Sequence, residues 1–325
     1  MKISYRAIAA CLLLAGMILS GCRASGGDYT PPVSAGEATQ QQTDAVTVGD
    51  ISEPVYDARD SIAVPILMYH HVEMLSARNP WSVTASSFDA QLNALSRAGY
   101  TAVTYGDLIE YVDYGYALPE KPVLITFDDG YQSNIDIACP LLASYGMCAT
   151  VSPVGITAGC DTYKDTGTAI TPHFSFDDPA LIAAYQSGIL DFAIHSYDMH
   201  QSTELDGEGC RQNAMPLPGE SEEDYARALR EDVKKARELL RGILSEECAV
   251  YTYPCGAYCE LSERILRADG IRVTVTTEPG IRIISRSDPD SLYCLPRIHV
   301  TDSMSGDALL AVIAELTATS RPERK

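Results

Sequence analysis

The chain has 325 residues, 46% of them apolar and 21% charged, a balance that fits a globular protein with one large α/β domain or two smaller ones. Its net charge of −20 argues against nucleic acid or any other phosphate-rich partner, which it would repel. The same charge identifies no substrate.

At the N-terminus, Lys2 and Arg6 precede an apolar run over residues 7–19 that is too short to span a bilayer stably. The run closes in Leu19-Ser20-Gly21-Cys22, which resembles a bacterial lipobox. That resemblance implies a signal peptide over 1–21, lipidation of Cys22 and a membrane anchor through the attached acyl chains. Residues 23–60 are rich in Gly, Ser, Thr, Gln, Asp and Pro, the composition of a flexible tether. The predicted organisation is a signal (1–21), a lipidated cysteine with its tether (22–60) and one ordered domain (61–325), held at the bacterial cell surface or envelope. Export changes how the ten cysteines read. With Cys11 removed and Cys22 acylated, eight remain, an even number that permits disulfides without fixing their pairing. Cys255 and Cys259 resemble half of a zinc site but lack a second closely spaced pair.

Order is predicted from about residue 62. Residues 64–69 read as a strand with His70 and His71 at its exit. Ser86 or Ser87 can cap a helix carrying Phe88, Leu92 and Leu95, stopped by Gly99. A short strand at 101–103, a helix around 108–112 and a strand over 122–127 follow. That last strand is apolar on both faces and runs into Asp128-Asp129-Gly130. Next come a helix over 134–145, a strand at 148–151, and a helix opened by Asp177 or Asp178 with Pro179. A strand over 190–194 ends at His195, and residues 201–221 form a loop long enough to suggest function. The remainder reads as helix 222–244, strand 249–253, helix 261–268, strands 271–276 and 293–300, and helix 307–316. Alternating strand and helix predict parallel strands with right-handed crossovers, and seven or eight such units suit a closed or nearly closed barrel better than an open sheet, a choice that spacing alone does not decide.

In a barrel the strand exits share one face, so Asp128, Asp129, His195 and His70 can converge there. His195 and His200 are five residues apart, which on a helix would point the two rings about 140° apart. To bind one ion together they need a backbone that loops back. Two imidazoles and a carboxylate form a facial set for Zn²⁺ or another first-row ion, with positions open for water and substrate.

Phe127-Asp128-Asp129-Gly130, His195-Ser196 with His200, and Tyr253-Pro254-Cys255-Gly256 together resemble the polysaccharide deacetylase family with the NodB-homology domain. The likeness extends to Met68-Tyr69-His70-His71 and to Leu295-Pro296-Arg297-Ile298-His299, and so covers residues 64–300. The five-residue step between the histidines resembles the branch of the poly-N-acetylglucosamine deacetylases. The resemblance implies a distorted (β/α) barrel of about seven parallel strands, with Asp129, His195 and His200 as metal ligands, Asp128 as general base and the backbone N–H of Tyr253 as oxyanion donor. It implies His70 as general acid with His299 as competitor, and a divalent ion, Zn²⁺ or else Co²⁺ or Ni²⁺. Arg297 is expected to orient Asp128 by a charge-assisted hydrogen bond. His71 is expected to be structural, and Trp81, Tyr131 and Tyr197 either stack on sugar rings or pack. The chain departs from the family pattern where Tyr251 replaces an Arg and where Leu295-Pro296-Arg297 replaces a Leu-x-His.

The implied activity is metal-dependent removal of N-acetyl groups from N-acetylglucosamine-containing cell-wall or extracellular polysaccharide, peptidoglycan included. The departures leave two alternatives, a non-catalytic glycan-binding lipoprotein and an O-acetyl polysaccharide esterase. No protein partner is evident.

Overall fold

The computed structural model describes residues 54–320. The predicted signal peptide, Cys22 and most of the predicted tether lie outside the described residues. The end of the tether is corrected. Val55 O accepts from Ala117 N–H at 2.8 Å and Asp57 N–H donates to Gly115 O at 2.8 Å, so this segment is packed into the domain. Asp57 is buried and binds the Arg59 guanidinium, which reaches on to the carbonyls of Leu118, Pro119 and Glu120. One buried carboxylate with a local arginine thus ties down a segment that composition reads as tether.

The frame is a ring of parallel strands: β1 (Ile66–Tyr69), β2 (Pro122–Asp129), β3 (Ala149–Pro153), β4 (Leu190–Phe192), β5 (Val250–Thr252), β6 (Val273–Pro279) and β7 (Leu295–His299). Their order across the sheet is β4-β3-β2-β1-β7-β6-β5. Just past β4, Ile194 bridges Tyr251 of β5, with Ile194 N–H donating to Val250 O at 2.9 Å and Thr252 N–H to Ile194 O at 2.8 Å. The two edges therefore meet, and the ring runs from β1 to β7 in chain order, the distorted (β/α) barrel of about seven parallel strands that the resemblance to the NodB-homology domain implies. The helices α1 (Ala85–Arg97), α2 (Tyr105–Tyr114), α3 (Cys139–Ser144), α4 (Pro179–Gln186), α5 (Glu222–Leu240) and α6 (Glu260–Ala268) lie in the crossovers, and α7 (Gly306–Ser320) follows β7. Among the described residues no helix is long and apolar enough to cross a membrane.

Local chemistry sets the boundaries. Thr84 rather than a serine caps α1, its hydroxyl accepting from Ser87 N–H at 3.2 Å. Asp178 caps α4 with Pro179 at its first position, where the missing N–H costs nothing. The helix predicted over 134–145 divides into a π-helical turn, Asn134–Ala138, and α3. The wider turn braces the segment after β1: Asn134 Nδ2 donates to His70 O at 2.9 Å, and Ser133 Oγ meets both His71 Nδ1 at 2.7 Å and Val72 N–H at 3.1 Å.

The barrel interior is lined in part by hydroxyls and one guanidinium. Thr126, Thr150, Ser152, Thr252, Thr276 and Arg297 are all buried, and Ser152 Oγ pairs with Thr252 Oγ1 at 2.9 Å. Arg297 donates to Thr276 O at 2.8 Å and to Thr126 Oγ1 at 3.3 Å. Buried polar groups of this kind need such partners. Here they place a charge directly beneath the strand exits.

Candidate metal centre and active site

β2 delivers both carboxylates. Asp128 lies inside the barrel and receives Arg297 in a bidentate pair, Nη1 to Oδ1 at 2.8 Å and Nη2 to Oδ2 at 2.7 Å. Alternation along a strand would send the next side chain to the opposite face. Asp129 escapes that by a left-handed backbone, φ 72°, which Asp tolerates better than most residues. Gly130 follows at φ 85°, and a Cβ there would sit 2.7 Å from that of Pro153 on β3. The turn therefore has to be glycine, and it presents both carboxylates at the mouth of the barrel.

The histidines arrive from the end of β4. His195 Nδ1 lies 2.8 Å from Thr252 O, and because a carbonyl only accepts, Nδ1 carries the proton and Nε2 keeps a free lone pair. The chain then turns back at Ser196, φ 69°, which resolves the five-residue step between the two imidazoles. His195 Nε2 and His200 Nε2 each lie 3.7 Å from Asp129 Oδ1. Donor atoms held about 2.1 Å from one ion at the tetrahedral angle lie about 3.4 Å apart, so these three residues fit a single first-row ion after a small contraction. Among the described residues no other His, Cys, Asp and Glu side chains gather in this way, and Cys255 with Cys259 forms no such group. The eight described cysteines are all free thiols.

Electrostatics suit these assignments. Burial opposes ionisation of Asp128, yet the Arg297 guanidinium, through its charge and its hydrogen bonds, holds the carboxyl well below the ordinary carboxylate range. Burial likewise works against Asp129, and His70, His200 and His195 pull it down. Burial pushes His195 to about 4, outweighing the nearby carboxylates, so at neutral pH it is the uncharged ligand form. His70 Nε2 stands 3.9 Å from Asp128 Oδ2. Two aromatic walls flank the mouth. On one side Tyr131 packs against His71 at 5.2 Å and His173 at 4.8 Å. On the other, half-exposed Trp81 stacks on His299 at 4.7 Å and tilts over His70 at 5.0 Å.

Residues 115–274 match the polysaccharide deacetylase family model. The chain carries a polysaccharide deacetylase domain. It is 28% identical over 308 residues to YxkH of Bacillus subtilis strain 168, whose name places it among the polysaccharide deacetylases, covering 94% of this chain and 96% of that one. It is 26% identical over 258 residues to the poly-β-1,6-N-acetyl-D-glucosamine N-deacetylase of Escherichia coli K12, covering 74% of this chain but only 37% of that protein. A solved de-N-acetylase of Aggregatibacter actinomycetemcomitans shares the fold with a TM-score of 0.65, at 19% identity over 77% of this chain and all of that one.

Within the deacetylase domain two expectations change. Tyr253 N–H donates to Val275 O at 2.9 Å inside the sheet, so it is not free to meet an oxyanion. The Tyr253 hydroxyl is also committed, to Glu263 Oε1 at 2.8 Å. Pro254 has no N–H. The next amide is that of Cys255, which sits at φ 55° and makes no backbone hydrogen bond among the described residues. The Cys255 thiol lies near enough to Asp129 to feel its charge, although burial is the main cause of its raised pKa. His299, the competitor for general acid, is tied by Nε2 to Pro80 O at 3.1 Å and serves as the base on which Trp81 stacks. His71 is structural, as expected, through Ser133. Arg297 pairs with Asp128 as expected.

Two contributors escaped the motifs. Asp232 and Lys164 both hold the loop between His195 and His200. Asp232 had a visible signal, a carboxylate on the apolar stripe Tyr225, Leu229, Val233, Ala236 and Leu240 of α5. Lys164 had none.

Proposed function

We propose that this chain is a metal-dependent N-deacetylase acting on N-acetylglucosamine-containing polysaccharide of the cell wall or extracellular matrix. The observation that carries the reading is the convergence of Asp129, His195 and His200 on one point, beside an ionised Asp128 locked by Arg297. The names of the relatives favour an N-acetylated glucosamine polymer. Asp129, His195 and His200 would hold the ion, Zn²⁺ or else Co²⁺ or Ni²⁺. Such an ion supplies a polarised carbonyl and a bound water of lowered pKa.

The chain's own residues supply the rest. Asp128, kept ionised and oriented by Arg297, accepts a proton from the attacking water. The free N–H of Cys255 is the donor for the oxygen on which negative charge develops. His70, close to Asp128, gives a proton to the departing nitrogen, so that water and amide become acetate and a free amine. Trp81 and Tyr131 offer ring faces to the flanking sugars. The lipobox-like Leu19-Ser20-Gly21-Cys22 supports a lipid-anchored protein at the envelope, where such polymers lie.

Acetate release from N-acetylglucosamine oligomers, measured with and without added Zn²⁺, tests the reading. Asp128→Asn should keep metal and lose acetate release; Asp129→Ala should lose both. A metal-loaded wild type inactive on N-acetylglucosamine polymers and on peptidoglycan would overturn it. The guanidinium that Arg297 brings to Asp128 supports catalysis over glycan binding alone.

A further inference from the structure

The metal reading leaves a geometric question. His195 is fixed at a strand end, whereas His200 lies on no helix or strand, and the gap between their rings depends on residues 196–199. That stretch is held on three sides. From beneath, the buried carboxylate of Asp232 accepts from two consecutive backbone amides, Tyr197 N–H to Oδ1 at 2.8 Å and Asp198 N–H to Oδ2 at 2.7 Å. From the side, Gly155 N–H donates to Ser196 O at 3.1 Å and Ile156 N–H to Tyr197 O at 2.8 Å. The approach is so close that a Cβ on Gly155 would sit 2.7 Å from the Tyr197 ring. From outside, Lys164 pairs with Asp198 at 3.1 Å and with Asp206 at 2.6 Å, and Tyr163 hydroxyl also bonds Asp206. Ser196 Oγ closes the turn by accepting from Met199 N–H at 3.1 Å.

The placement of Asp232 is otherwise unfavourable. It stands on the apolar stripe of α5, where the same packing would be served by an aliphatic residue, and a buried carboxylate costs stability unless it is well bonded. Both of its oxygens are spent on the loop between the two histidines. Asp198 and Lys235 are the charged groups that it feels most, and Lys235 also lies 5.3 Å over the Tyr197 ring.

We propose that Asp232 is a positioning residue for the metal centre: its carboxylate fixes the backbone that sets His200 against His195, with Lys164 as the outer tie. The inference rests on the metal reading above. It also gives a function to a carboxylate and a lysine that no motif includes.

The test uses the full chain as wild type, Asp232→Asn, Asp232→Ala and Lys164→Met. Zn²⁺ affinity is measured by competition with a chromophoric chelator, Co²⁺ geometry by the visible spectrum, and folding of the metal-free proteins by far-ultraviolet circular dichroism. The expected result is a loss of Zn²⁺ affinity of about 10- to 100-fold in folded Asp232→Ala, the range seen when groups supporting metal ligands are removed, with an altered Co²⁺ spectrum. Asp232→Asn, which retains one acceptor oxygen, should lose less, and Lys164→Met less again. A purely structural role would lower the melting temperature and leave the affinity and spectrum of the folded protein unchanged; that result overturns the proposal. Should neither Asp232 variant fold, Lys164→Met carries the test, and wild-type affinity there overturns it. Wild-type protein that binds no Zn²⁺ overturns the metal reading and this inference together, whereas wild-type binding with unchanged variants overturns the inference alone.

Discussion

Replacing Arg297 by Met probes the barrel interior and the chemistry at once. Arg297 is 1% exposed and Asp128 2% exposed, and the two share hydrogen bonds of 2.8 and 2.7 Å. Met fills much of the volume but leaves Asp128 as a buried carboxylate without its cation. Breaking one partner out of a buried pair costs about 3–5 kcal/mol. At about 2–4 °C per kcal/mol for a domain of this class, the melting temperature should fall by roughly 6–20 °C. The sign on catalysis follows from the same charges. Burial alone raises the Asp128 pKa, and Arg297 is the main group that reverses it, so in Arg297→Met the carboxyl rises. The acid limb of the pH profile for acetate release should then move to higher pH, since the base is ionised only above its pKa. Arg297→Lys should fall between, because an ammonium cannot make the two-pronged contact. Adding Asp128→Asn to Arg297→Met removes the stranded charge and should recover part of the stability. Thermal melts and pH–rate profiles check both halves. A double variant no more stable than Arg297→Met, or an acid limb that stays in place, refutes the reasoning.

Three further outcomes are expected. Asp57 is held at about 2 by the hydrogen bonds of Arg59, which outweigh burial, so its folded pKa lies below the ordinary 3.8. Its stabilisation, roughly 2 kcal/mol, is therefore full above about pH 5 and lost as pH falls toward 2. Asp57→Asn should lower the melting temperature at pH 7 and flatten the acid fall; equal curves would show that residues 55–60 hold without it. Gly130→Ala should cost roughly 2–4 kcal/mol, from the left-handed backbone and the 2.7 Å approach to Pro153, and a melt within experimental error of wild type would contradict the turn described. Trp81→Ala should raise KM for oligosaccharides by roughly 2- to 12-fold while leaving Zn²⁺ affinity alone, and an unchanged KM removes Trp81 from the sugar path.

The barrel was legible because its signals are local. Most strands are short runs of apolar or β-branched residues, α1, α2, α4 and α5 open on side-chain caps, and the alternation leaves few topologies open. The triad was legible for a related reason: Asp129 and His195 follow strand ends, which share a face in a parallel barrel, and His200 joins them on a loop that turns back at Ser196. Asp57 shows where composition misleads. Residues 55–60 lack the apolar content of an ordered segment, yet a single buried ion pair and a run of backbone carbonyls hold them, and no window of composition registers that.

The oxyanion donor shows a second limit. A motif identifies which residues lie at a turn, whereas the amide left free depends on sheet register, and register is set by a strand far away in sequence. Val275 of β6 claims the Tyr253 N–H, and Pro254 has none to give, so the first free amide falls on Cys255. The left-handed φ of 55° at that residue turns the chain out of the sheet just where the pairing with β6 stops. Position alone therefore could not separate Tyr253 from Cys255, but counting each backbone donor and its acceptor does. The same counting separates the two acid candidates: Pro80 O occupies His299 Nε2, while His70 Nε2 faces Asp128. In both pairs the proposed mechanism assigns the chemistry to the residue whose polar group is still uncommitted.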